Sequence, residues 1–135
     1  MKKYKVQKSE EEWKKILTPD QYRILRLRRT ERSYTGEYQN LYEEGVYACA
    51  ACGHDLFSSE DKYDAGSGWP SFSSEMEGSN VEKVIDLSYG IVQTEARCPS
   101  CGGHLGHVFS DGPAPTKTRF CVNSVAMCFK PIKDE

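Results

Sequence analysis

The chain has 135 residues, with 18 Lys+Arg against 20 Asp+Glu and a formal net charge of -2. Its basic residues gather in the first third without forming one long run, which argues against a nucleic-acid footprint, and no stretch nears the roughly 18 apolar residues of a membrane span. The opening Met1-Lys2-Lys3-Tyr4-Lys5 leads into polar sequence and not into an apolar signal core, so a soluble, cytoplasmic protein with one domain over 1–135 is expected.

Two short helices are predicted within about 9–29. Ser9 with Glu12 and Thr18 with Gln21 have capping-box spacing, and Pro19 sits where a first helical turn tolerates proline. Tyr22 and Leu25, like Ile24 and Leu27, recur at i,i+3 and define an apolar side, leaving Arg23, Arg26 and Arg28 in water. From about Gly45 to Pro131 the texture changes to short apolar or alternating runs divided by Gly, Ser, Asp and Pro. Strands are predicted at 46–49, 83–87, 91–97 and 119–129, with turns at Ser88-Tyr89-Gly90 and Asp111-Gly112-Pro113. The fold class is α+β, mainly antiparallel β.

Six cysteines in such a chain favour metal binding or thiol chemistry over a disulfide framework. Cys49-Ala50-Ala51-Cys52-Gly53 and Cys98-Pro99-Ser100-Cys101-Gly102 are matching Cys-x-x-Cys-Gly knuckles. Two residues between thiolates let one tight turn place both sulfurs about 2.3 Å from a zinc ion, and a glycine eases the turn. Cys49, Cys52, Cys98 and Cys101 thus make a closed structural site for one Zn2+. Cys98, Cys101, His104 and His107 form a rival set that would orphan the first knuckle.

Subtracting four ligands leaves Cys121 and Cys128. On a strand, Arg119, Cys121 and Asn123 share one face, setting a cation, a thiol and an amide together. A neighbouring Arg favours the thiolate, which is the attacking form. A lone strand cysteine is otherwise a small buried hydrophobe. His104-Leu105-Gly106-His107-Val108-Phe109 brings two imidazoles just after the second knuckle, and Asp111 follows, able to orient a histidine or to serve its own turn. Gly66-Ser67-Gly68-Trp69-Pro70-Ser71-Phe72 reads either as a loop presenting an aromatic wall or as a Trp plug on the core.

These motifs in this order, from about Leu17 to Pro131, resemble the methionine-R-sulfoxide reductases. The resemblance implies a SelR-like (β-tent) fold and an enzyme that reduces the R epimer of methionine sulfoxide, free or within proteins, as repair of oxidative damage. It implies that Cys121 is the nucleophile, that Trp69 packs on the substrate methyl group with Phe109 as a further wall, and that His104, His107, Asp111, Arg119 and Asn123 form the polar shell. That shell must protonate the sulfoxide oxygen, since oxide is a poor leaving group, and His107 is favoured as the principal acid. The product is methionine and a sulfenic acid on Cys121.

Many members of that family carry a resolving cysteine just before Gly-Trp-Pro, where this chain has Ser67. Cys128, seven positions after Cys121 on a continuous strand, would lie on the opposite face about 23 Å away, past the roughly 7 Å limit for bridged Cα atoms. It is read as a small core residue. The expected reductant is therefore external, thioredoxin or another thiol, acting on a monomer. A zinc-knuckle binding module without chemistry is the competing reading; a catalytic zinc held by the histidines is another, and it requires an open coordination position.

Overall fold

The computed structural model describes residues 4–88 and 90–132. Met1–Lys3 of the opening segment and Tyr89 of the predicted Ser88-Tyr89-Gly90 turn lie outside the described residues. Both helices form where the capping boxes place them: α1 is Glu10–Ile16 and α2 is Pro19–Leu25. Ser9 Oγ accepts from the Glu12 amide and Thr18 Oγ1 from the Gln21 amide, each answered by the reverse bond from the cap amide. These bonds satisfy amides that a helix start leaves without partners. Tyr22, Ile24 and Leu25 are buried, but Leu27 lies beyond the end of α2 and is exposed. Arg26 is not fully solvated either, since it caps the Trp13 ring and donates to the Cys101 carbonyl.

Among the described residues nine strands follow: β1 Gly45–Cys49, β2 Asp55–Ser58, β3 Lys62–Tyr63, β4 Ser71–Phe72, β5 Glu82–Asp86, β6 Gln93–Arg97, β7 His104–Phe109, β8 Arg119–Val122 and β9 Met127–Pro131. They form an antiparallel three-stranded sheet, β2-β1-β9, and an antiparallel six-stranded sheet, β3-β4-β8-β7-β6-β5. The predicted strand over 119–129 is broken. A 3-10 turn at Ser124–Ala126 divides it, sending β8 into one sheet and β9 into the other. The turn is fixed from far away, because the Val125 amide donates to Glu31 Oε1 and Ser124 Oγ accepts from the Tyr38 amide.

The core lies between the sheets and under the helices. Tyr47, Leu56, Phe57, Phe72, Phe120 and Val122 are buried in it, with Phe57 stacked on Phe72 at 4.5 Å. Phe120 and Val122 alternate with Arg119 and Cys121 along β8, so one face of that strand serves the core and the other is free for chemistry. Cys128 is on β9 but exposed, which corrects its reading as a core residue.

Candidate active site and metal centre

Cross-strand pairing sets Tyr63, Ser71, Cys121, His107 and Glu95 in one row across β3, β4, β8, β7 and β6. Directly opposed residues share a face of the sheet. Cys121 is thus flanked by Ser71 on one side and His107 on the other. Phe109 pairs with Arg119 on the same two strands, and the guanidinium lies 4.2 Å from the centre of the Phe109 ring.

The spacing of three between His104 and His107 would point them to opposite faces of a regular strand. A bulge prevents this. Ala96 pairs with Gly106 but Arg97 with His104, so Leu105 is an extra residue in β7. One added residue reverses the alternation, and the two rings meet edge to face with centroids 5.5 Å apart. The approach of β7 to β8 also requires a glycine: a β-carbon on Gly106 would collide with the Cys121 carbonyl.

Each imidazole is held by a buried carboxylate. His104 Nδ1 lies 2.6 Å from Glu95 Oε2, and His107 Nε2 lies 2.9 Å from Asp86 Oδ2. Arg28 spans both acids, Nε to Glu95 at 3.1 Å and Nη2 to Asp86 at 3.3 Å, and Arg97 adds a bond to Glu95. For Glu95, burial pushes the carboxyl upward, but the bond from His104 and the charges of His104, Arg97 and Arg28 outweigh it and hold the group below its ordinary value. Bonds from His107 and Ser88, against a smaller upward push from burial and with help from Arg28, hold Asp86 below its own. Asp111 does not orient a histidine. It forms a two-point pair with Arg119, Nε–Oδ1 2.9 Å and Nη2–Oδ2 3.2 Å.

Cys121 is half-buried. Burial pushes its thiol above the ordinary value, and the Glu31 carboxylate adds to the rise; the Arg119 charge and a hydrogen bond from Ser67 pull the other way without reversing it. Arg119 therefore moderates the thiol and does not by itself make a resting thiolate. The thiol opens on a cavity of about 150 Å³ lined by Thr30, Trp69, Gly106, His107, Phe109, Cys121 and Asn123. Trp69 is a wall of this cavity and not a plug on the core. Its Nε1 donates to the Glu31 carbonyl at 3.0 Å, which fixes the plane of the indole. Asn123 is buried, donates through Nδ2 to the Leu105 carbonyl and accepts from the Glu31 amide. His104 stands behind this lining, and its Nε2 is buried without a hydrogen-bond partner.

The sulfurs of Cys49, Cys52, Cys98 and Cys101 all lie within 4.8 Å of one another, with Cys49–Cys101 at 3.7 Å and Cys52–Cys98 at 3.5 Å. Four thiolates about 2.3 Å from one tetrahedral ion would be about 3.8 Å apart, so these residues fit a metal of that size. The two knuckles are built alike: the Gly53 amide donates to the Cys49 carbonyl and that of Gly102 to the Cys98 carbonyl, both at 2.8 Å. Both glycines have positive φ, 83° and 78°. The rival set using His104 and His107 does not form: among the described residues the group close enough to hold a metal is the four cysteines, and neither imidazole belongs to it.

A SelR domain model matches residues 17–131. The chain belongs to the SelR family of methionine-R-sulfoxide reductases. It is 54% identical over 127 residues to a "Peptide methionine sulfoxide reductase MsrB" of Leptospira interrogans, covering 94% of this chain and 97% of the relative. The protein of that name in Methanosarcina barkeri is 54% identical over 125 residues, covering 93% and 88%. The Mis18 'Yippee-like' domain shares the fold, with a TM-score of 0.52 at 17% identity over 68% of this chain and 100% of that domain. This SelR chain is accordingly an oxidoreductase.

Sequence reasoning missed Glu95, Asp86, Arg28, Glu31 and Thr30. The signal for the first two was present, an acid in the middle of a predicted strand and another near the end of one, where a charge facing the sheet needs a partner. Nothing local marked Arg28, Glu31 or Thr30.

Proposed function

We propose that the chain reduces the R epimer of methionine sulfoxide, in oxidised proteins and as the free amino acid, through a sulfenic acid on Cys121 that an external thiol such as thioredoxin reduces. The observation carrying this reading is the Cys121 thiol at the edge of a cavity with Trp69 and Phe109 on its apolar side and His107 and Asn123 on its polar side. A sulfoxide has the same asymmetry, a methyl group and a polar oxygen on one sulfur. At about 150 Å³ the space suits one side chain, since sites for drug-sized ligands start at about 300 Å³.

In the reaction the Cys121 sulfur bonds to the sulfoxide sulfur or takes its oxygen through water. The S=O bond breaks, methionine leaves as the thioether, and Cys121 becomes the sulfenic acid. The substrate sulfur gains the two electrons that Cys121 loses. A thiol whose burial keeps it protonated brings the proton that the oxygen requires, with His107, held by Asp86, as the acid that delivers it. His104 backs His107, Asn123 holds the polar end of the substrate, and Arg119, steadied by Asp111, balances charge on the sulfur. Cys49, Cys52, Cys98 and Cys101 would hold one zinc, which supplies folding free energy and takes no part in the reaction.

The test is an assay on separated R and S epimers with dithiothreitol, comparing wild type with Cys121→Ser. Turnover of the R epimer, lost in the variant, is expected. Turnover of the S epimer alone, or an unimpaired variant, would overturn the reading.

A further inference from the structure

Glu31 lies between α2 and β1, in a stretch that no helix or strand braces. Its position rests on single contacts, and three of them meet the cavity beside Cys121 or the turn that adjoins it. The Glu31 carbonyl accepts from Trp69 Nε1 at 3.0 Å, and its amide donates to Asn123 Oδ1 at 3.0 Å. The main chain of one residue thus holds both the apolar and the polar wall. The second bond also settles which way the Asn123 amide points. With Oδ1 taken by Glu31 and one Nδ2 hydrogen by the Leu105 carbonyl, the other Nδ2 hydrogen is left for a ligand. The Glu31 side chain reaches the other way, into a separate cleft of about 420 Å³ that Thr35, Gly36 and Tyr38 also line. There Oε1 accepts from the Val125 amide at 3.0 Å, two residues past Asn123. Glu31 is only 8% exposed, and Oε2 is buried without a hydrogen-bond partner. Burying a carboxyl on those terms costs free energy, which marks the residue as one that serves the site and not the core.

We infer that Glu31 is a positioning residue for the sulfoxide: its carboxyl group, anchored on Val125, fixes the main chain that keeps Trp69 and Asn123 at their mutual spacing. The inference rests on the reading of that cavity as the sulfoxide site. Trp69 meets the substrate methyl group and Asn123 its oxygen, so a slack Glu31 moves both walls at once and weakens binding before it touches the chemistry on Cys121. Reach is what the carboxyl supplies, and not charge, because the bond from Val125 needs only an acceptor at that distance. Glutamine keeps such an acceptor and sets a neutral amide where the unpartnered oxygen lies. Aspartate keeps the charge but is one methylene shorter, which draws its oxygens back from Val125 by up to about 1.5 Å.

Turnover of the R sulfoxide with dithiothreitol is measured as kcat and KM for Glu31→Ala, Glu31→Asp and Glu31→Gln. Binding is measured apart from chemistry, as the Kd for the R sulfoxide in the Cys121→Ser background. The signal there is the emission of Trp69, once Trp13→Phe has removed the other of the two indoles. Expected are KM and Kd raised about tenfold by Glu31→Ala and severalfold by Glu31→Asp, with kcat near that of wild type in both. Glu31→Gln should restore wild-type values, and Thr18→Ala, which loosens α2, should lower stability without moving KM. A Glu31→Gln variant as impaired as Glu31→Ala overturns the inference, since the charge would then have a part in the reaction. An unchanged KM in both Glu31→Ala and Glu31→Asp, a loss confined to kcat, or a KM raised equally by Thr18→Ala overturns it as well. Should Glu31→Ala fail to fold, Glu31→Asp against Glu31→Gln decides by the same measurements. A wild type that does not turn over the R epimer would instead remove the sulfoxide reading itself.

Discussion

Glu95 is completely buried and yet ionised, and its three partners explain how. His104, Arg28 and Arg97 together replace the water that the carboxylate gave up. Taking away the charge leaves the buried His104 and the partly exposed Arg28 and Arg97 short of their acceptor, so Glu95→Gln is expected to lower stability by about 2 kcal/mol, read from urea midpoints at neutral pH. The pH dependence has a defined sign. Asp86 and Glu95 are both depressed in the fold, so the stability they supply is full above their unfolded values, near pH 4, and is lost as pH falls through the lower folded ones. Wild type should weaken progressively below about pH 4, and Glu95→Gln and Asp86→Asn should each flatten that decline. An acid limb of unchanged steepness in both variants would detach these carboxylates from the histidines.

Among the elements, α2 depends on the Thr18 cap and delivers Leu25 against Gly103, beside the second knuckle. Thr18→Ala should cost about 1 kcal/mol, seen as a lower urea midpoint with the denaturant slope unchanged. This cap was legible in the sequence because its two bonds close within four residues. The break after β8 was not legible. Arg119–Phe129 has strand composition throughout, and what interrupts it is the Glu31 carboxylate arriving from ninety-four positions away. The same contrast divides the site. The knuckles are local turns and could be read directly, as could the alternation that puts Arg119 and Cys121 on one face of β8. The pairing of His104 with Glu95 and His107 with Asp86 depends on sheet register and on a bulge, neither of which leaves a mark in local spacing. Exposure of Cys128 has the same origin, since it follows from which sheet β9 joins.

At the scale of the whole molecule, the four-cysteine cluster joins the sheets. Cys49 ends β1 in the three-stranded sheet, and Cys98 follows β6 in the six-stranded one. A metal there would fasten the two layers at one end of the core, and its binding energy would be folding energy. Stripping the protein with a chelator is expected to release one zinc per chain, expose four additional titratable thiols and abolish the cooperative thermal transition followed by circular dichroism. A stripped chain melting at the original temperature would show that the aromatic core between the sheets suffices alone.

The bulge at Leu105 has a consequence for how this enzyme can change through descent. A connecting loop absorbs a gained or lost residue by altering its path over the surface. Between Cys101 and Gly106 the number of residues decides which way His104 faces. A lineage that lost one codon there would keep its strands and its knuckles, but a histidine would turn away from its carboxylate. The length of this segment therefore matters to the site as much as the residues in it.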